Sequence, residues 1–234
     1  MNEFDLSIWG HVFQYLEQDD KINLMISSLY FSQLKNIMTH FEIEDRIITH
    51  IVKKDIFKIY PNLTSLKCQK ITDEQIIKMT KLMSLDCSGC RYTFKINILT
   101  NLTSLNCSHC SYNELNIANL TGLTYLDCSD CNKIIGINNL INLTYLNCSY
   151  CDNQINISQL IKLKSLECRN NKYIDNIETL TNLEFLECSG CQNIKNVEIL
   201  TNLQALTCNR CKNIETLENL TNLKYLLCVE CPSF

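Results

Sequence analysis

From Leu63 onward, apolar and polar positions follow a block that returns about every 20 residues. The block is clearest over residues 143–151, LTYLNCSYC. It recurs as LTSLNCSHC from Leu102, LTYLDCSDC from Leu123, LEFLECSGC from Leu183 and LQALTCNRC from Leu203. Weaker copies begin at Leu63, Leu82, Leu163 and Leu223, so nine starts are spaced by 19, 20 and 21 residues and then by 20 five times. Within a block the first, fourth and sixth positions are apolar and the residues between them vary, the alternation of a half-buried strand. Further apolar residues follow at a wider spacing, as Ile194, Val197 and Leu200 follow Leu183, Leu186, Cys188 and Cys191. A unit this short buries its apolar side only against its neighbours, so the period predicts a solenoid. The expected architecture is nine parallel strands on one concave face, about 40 Å along at about 4.8 Å per strand. Tight turns or 3₁₀ segments are expected opposite. In the first repeat, Thr72-Asp73-Glu74-Gln75 before Ile76-Ile77 predicts a short helix.

The consensus L-x-x-L-x-C-x-x-C-x-x-I-x-x-I-x-x-L-T-N resembles the leucine-rich repeat, L-x-x-L-x-L-x-x-N/C-x-L, with cysteine at the sixth position and in the Asn/Cys slot. The apolar residue after that slot comes one position late, and the repeat is short. The resemblance implies an α/β solenoid, a right-handed superhelix with a parallel concave sheet, over residues 62–234. It also implies that partners are held on the concave face.

Residues 1–60 follow a different period. Ile8, Trp9, Val12, Phe13, Tyr15 and Leu16 have helical spacing, a polar break runs from Glu17 to Asp20, and a second apolar set runs from Ile22 to Leu29. Residues 1–40 thus predict a small all-α unit. Residues 41–61 predict a linker and capping helix with Ile43, Ile47, Ile48, Ile51, Val52, Ile56, Phe57 and Ile59 apolar, stopped at Pro61. Residues 3–38 resemble an F-box, although Phe4-Asp5 stands where that family has Leu-Pro and Ser7 replaces its Glu. The resemblance implies that Phe4, Ile8, Trp9, Val12, Phe13 and Leu16 dock on a Skp1-type adaptor of a cullin ubiquitin ligase. The same helices also suit a plain lid on the first coil.

Net charge is −4, with six Lys/Arg against nine Asp/Glu in residues 1–60 and 15 against 16 in the rest. Neither part has the basic excess that phosphate binding requires, so no nucleic-acid partner is expected. No apolar run reaches about 18 residues and the N-terminus lacks signal-peptide features, so no membrane is expected and the location is read as intracellular, cytoplasmic or nuclear. The 16 cysteines are then expected to be reduced. The Asn-Leu-Thr triplets at Asn62, Asn101, Asn119, Asn142 and Asn219 are read as by-products of the repeat.

Seven C-x-x-C pairs, from Cys87/Cys90 to Cys228/Cys231, have a spacing that overlaps zinc ribbons. Every cysteine, however, holds a fixed repeat position, and the broken pairs carry Ile71 and Asn171 instead. Coils stacked at about 4.8 Å also fit poorly with four sulfurs at about 2.3 Å from one zinc, or with disulfide Cβ atoms about 3.8 Å apart. The expectation is no metal and no cofactor. The cysteines serve as small buried hydrophobes, and the one in the Asn/Cys slot turns its thiol toward backbone. His11, His40, His50 and His109 are scattered and no glycine-rich phosphate loop exists, so no catalytic residues are assigned and the chain is not expected to be an enzyme.

Recognition is therefore sought on the outward positions. The third gives Tyr125, Tyr145, Phe185 and Tyr225, and the fifth gives Asp127, Asn147, Glu167 and Glu187. Aromatic residues beside carboxylates suit a protein target carrying Lys or Arg. The same residues also suit a cross-strand ladder that only stabilises the sheet. The resemblances together predict the substrate-recognition subunit of a cullin–Skp1–F-box ligase. The alternative is a leucine-rich-repeat interaction module with no ubiquitin role.

Overall fold

The computed structural model describes residues 40–42, 62–68, 72–90, 95–110 and 114–231. One parallel sheet of ten three-residue strands runs through them: His40–Glu42, Ser65–Lys67, Ser84–Asp86, Ser104–Asn106, Tyr125–Asp127, Tyr145–Asn147, Ser165–Glu167, Phe185–Glu187, Ala205–Thr207 and Tyr225–Leu227. Each repeat supplies one strand to this sheet and successive repeats pair without a slip, while Leu115–Asn116 and Ile134–Ile135 pair in a second, two-stranded sheet. Third position faces third, fourth faces fourth and fifth faces fifth, as in Tyr145↔Ser165, Leu146↔Leu166 and Asn147↔Glu167. With a side-chain period of two, this register sends every fourth position inward together.

The tenth strand corrects the sequence reading. His40–Glu42 lies where the predicted helical unit meets the predicted capping helix, yet it pairs in parallel with Ser65–Lys67. Met38-x-x-Phe41-x-Ile43 has the first-, fourth- and sixth-position spacing of a repeat, 25 residues before Leu63. The helical periodicity from Ile43 to Ile59 masked that signal. The F-box-like positions Phe4, Ile8, Trp9, Val12, Phe13 and Leu16, and residues 43–61 of the predicted linker and capping helix, lie outside the described residues.

Among the described residues helix is sparse, as the short repeat requires. Asp73–Ile76 makes a single α turn in the first repeat. Among the described residues, 3₁₀ turns follow at Ile96–Ile98, Ile137–Asn139, Ile177–Thr179 and Val197–Ile199. The last three open on a left-handed residue, Gly136, Asn176 or Asn196. At Gly136 (φ +94°) a Cβ would sit 2.5 Å from the Ala118 backbone, so only glycine fits there. No helix among the described residues is long and apolar enough to cross a membrane.

The interior is one continuous stack. Leu105, Leu126, Leu146, Leu166, Leu186 and Leu206 expose no surface, and neither do the first-position leucines from Leu102 to Leu203. Burying one such side chain contributes about 1.5–3 kcal/mol. The corner opposite the cysteines is held by an asparagine ladder. Asn142, Asn182, Asn202 and Asn222 each donate Nδ2 to a carbonyl of the preceding coil, at 2.8–3.0 Å. The asparagine of the L-T-N triplet thus completes backbone hydrogen bonding between coils.

Candidate protein-binding face

The repeated cysteines point into the coil and spend their thiols on backbone. The position-six thiols of Cys87, Cys107, Cys128 and Cys168 donate to a fifth-position carbonyl of the following coil, at 3.3–3.5 Å. Position-nine thiols reach the other way, to the sixth-position carbonyl of the preceding coil. Cys131, Cys151, Cys191 and Cys211 do so at 2.8–3.1 Å. Asn171 stands in the same slot and donates Nδ2 to Cys148 O at 3.1 Å, while its Oδ1 accepts from the backbone of Tyr173 and Ile174. Thiol and amide therefore perform one job. Burial pushes the Cys68 and Cys208 thiols up to about 12, and Cys148 well above its ordinary value. Protonated and enclosed, these groups are poor nucleophiles at neutral pH.

One pair departs from this pattern and from the expectation of reduced cysteines. Cys228 and Cys231 form a disulfide, with Cα atoms 6.1 Å apart. The steric objection to disulfides applies between stacked coils, whereas this bond lies within one C-x-x-C turn. In a pair such as Cys128/Cys131 the two thiols point in opposite directions, toward the following and preceding coils, and cannot meet. Cys208 Sγ lies 3.3 Å from Cys228 Sγ. Together these three are the one group among the described residues whose ligand atoms are clustered closely enough for a metal ion.

The C-x-x-C turn shapes the rim of the concave face. Its third residue is left-handed in every described coil from Gly89 to Glu230, including His109, Asp130, Tyr150, Asn170 and Arg210 at φ 52–60°. This backbone requirement suits Gly89, Gly190, Asn170 and Asp130, while His109, Tyr150, Arg210 and Glu230 adopt it despite their side chains. Fifth-position side chains brace the same turn. Asp86, Asn106, Asp127 and Asn147 each accept the backbone N–H two residues on at 3.0–3.1 Å, and Asp127 also accepts Ser129 Oγ at 2.8 Å. These are Asx turns, a role for the acidic row that the sequence reading missed. The serine at the seventh position, two residues beyond the carboxylate, was the available signal.

The predicted site residues lie side by side on the outward face. Tyr125 and Tyr145 stack with ring centroids 4.5 Å apart and planes 3° from parallel. Tyr145 donates its hydroxyl to Glu167 Oε1 at 2.9 Å. Burial first, and then Glu167, holds the Tyr145 phenol well above its usual range. Asp127 and Asn147 are half-buried and support turns. Glu187 is 9% exposed and fully engaged, Oε1 by Ser189 N at 2.9 Å and Oε2 by Arg169 at 3.3 Å. Phe185 is half-buried, and Tyr225 is 54% exposed at the far end of the row. Arg169 was not anticipated. It replaces the serine found at the seventh position of the neighbouring coils, and that break in the repeat marked it.

No protein-family model matches the sequence, nor does any curated protein. Solved structures do match in fold. The functional domain of InlJ from Listeria monocytogenes, described as including a cysteine ladder, superposes with a TM-score of 0.62 at 24% identity, covering 87% of this chain and 56% of that one. TLR13 in its complex with ssRNA13 gives 0.67 at 23%, covering 87% and 34%. An internalin (inlF), also from L. monocytogenes, gives 0.57 at 19%, covering 76% and 64%. This chain thus spans less than two thirds of each of these chains. At such identities the likeness establishes the fold: the solenoid is a leucine-rich-repeat solenoid.

Proposed function

We propose that the chain is a protein-binding adaptor whose concave face holds its partner. The observation that carries this reading is the outward row from Tyr125 to Glu187. There, the rings of Tyr125, Tyr145 and Phe185 and the carboxylates of Asp127 and Glu167 stand half-exposed on a sheet whose other face is closed packing. No catalytic group is assigned, because the repeated thiols are enclosed in the coil and donate to backbone carbonyls. A nucleic-acid ligand, as in the TLR13 complex, is disfavoured by the carboxylates on this face and by the net charge of −4.

The finer reading rests on the F-box-like spacing of Phe4, Ile8, Trp9, Val12, Phe13 and Leu16. It makes the chain the substrate-recognition subunit of a cullin–Skp1–F-box ubiquitin ligase, working inside the cell. The N-terminal segment docks on the Skp1-type adaptor and the solenoid presents the target. The contribution is proximity, raising the effective concentration of an acceptor lysine near a charged conjugating enzyme. Co-purification with a Skp1-type adaptor tests this. Wild type is expected to retain the adaptor and the Ile8→Asp, Leu16→Asp double variant to lose it. Wild type failing to retain the adaptor leaves an interaction module without a ubiquitin role.

A further inference from the structure

The third-position row of the concave face is stepped. Ser65, Ser84 and Ser104 form a low shelf, Tyr125 and Tyr145 rise as a stacked pair, and Ser165 drops again before Phe185. Tyr145 and Phe185 therefore flank a slot one strand wide, floored by a hydroxymethyl group. Two strand spacings separate the residues that carry the rings, about 9–10 Å. A flat cation seated midway lies about 5 Å from each ring, within the roughly 6 Å reach of a cation–π contact.

One end of the slot is acidic. Glu167 lies two residues from Ser165 on the same strand and so faces the same side. The Tyr145 hydroxyl occupies its Oε1 and fixes the ring and the carboxylate relative to one another. The protein's own nearby cations are committed elsewhere. Arg169 bonds Glu187 at 3.3 Å, and Lys164 bonds Glu184 at 2.8 Å. Glu167 is thus a carboxylate on the strand between those that carry the two rings, and no ion pair to it occurs among the described residues.

We propose that the slot over Ser165, between Tyr145 and Phe185 and beside Glu167, receives an arginine side chain of the bound protein. A guanidinium is planar and weakly hydrated, and its N–H groups lie in its own plane. It can stack between two rings while donating edge-on to Glu167, whereas a round ammonium group uses the walls less completely. The slot rests on the concave-face reading and adds to it the chemistry of one contact.

The test is an NMR titration of the isotope-labelled full chain with N-acetyl-arginine amide, against N-acetyl-citrulline amide as the neutral isostere. Saturable shifts are expected at the amides of Ser165–Glu167, with the citrulline compound at least about tenfold weaker. Ser165→Tyr fills the slot with a side chain that the neighbouring strand already carries at this position, so it keeps the fold, and it is expected to weaken arginine binding by a similar factor. Glu167→Gln is expected to do the same. Equal binding of the citrulline compound, undiminished binding by Ser165→Tyr, or no saturable shift in wild type overturns the proposal. Adaptor co-purification does not involve the slot. A protein that retains the adaptor but ignores arginine therefore loses only this inference, and the converse result loses only the ligase reading.

Discussion

The two faces of each strand carry opposite kinds of sequence on the same backbone. Inward, the fourth position is leucine in all nine repeats, and from Leu105 to Leu206 it exposes no surface. Outward, the third position runs Ser, Ser, Ser, Tyr, Tyr, Ser, Phe, Ala, Tyr. Register and strand length do not change along the row, so backbone geometry does not account for the variation. Stacking dictates what faces the neighbouring coil and leaves the other side free. In the proposed reading, information about a particular partner is carried where the repeats differ, and within each strand that is the outward row.

That contrast has measurable limits. Leu146→Ala is expected to cost about 2–5 kcal/mol in urea unfolding, since the cavity lies between two coils that cannot close over it. Tyr145→Phe, one residue away, removes a single half-exposed hydrogen bond and should cost no more than about 1.5 kcal/mol. Comparable losses from the two variants would mean that the outward row supports the fold as much as the core does. The ladder can be examined more finely at the one slot where it departs from cysteine. Asn171→Ala leaves Cys148 O and the Tyr173 and Ile174 N–H groups without their partner, at about 2–3 kcal/mol. Asn171→Cys restores a donor to Cys148 O and should recover much of that loss. No recovery would show that thiol and amide are not equivalent here.

Much of this fold was legible because the repeat states it nine times. Parallel strands, inward Leu and Cys and tight turns opposite follow from periods of two and twenty, and the single α turn at Asp73–Ile76 follows from the capping residues Thr72 to Gln75. The strand His40–Glu42 was hidden because a single degenerate copy, Met38-x-x-Phe41-x-Ile43, competes with an overlapping helical pattern. The fifth-position residues were legible as outward-facing but not as turn braces. An Asp two residues before a Ser reads alike whether its carboxylate meets a ligand or a backbone N–H. The Cys228–Cys231 disulfide could not be read from spacing, since every pair in the ladder has the same spacing. What sets the pairs apart is where each thiol points.

The central claim is that the repeated cysteines line the coil as packed thiols and hold no metal. Native-state alkylation, followed by mass spectrometry, tests it most directly. In neutral buffer Cys110, the one free cysteine not fully buried, should label first, while the thirteen buried free thiols stay protected with or without a metal chelator. Of these, Cys68 and Cys208 should react appreciably only as the pH climbs toward about 12. Several buried pairs becoming reactive when chelator is added at neutral pH would contradict the account, because it would show metal rather than packing holding them.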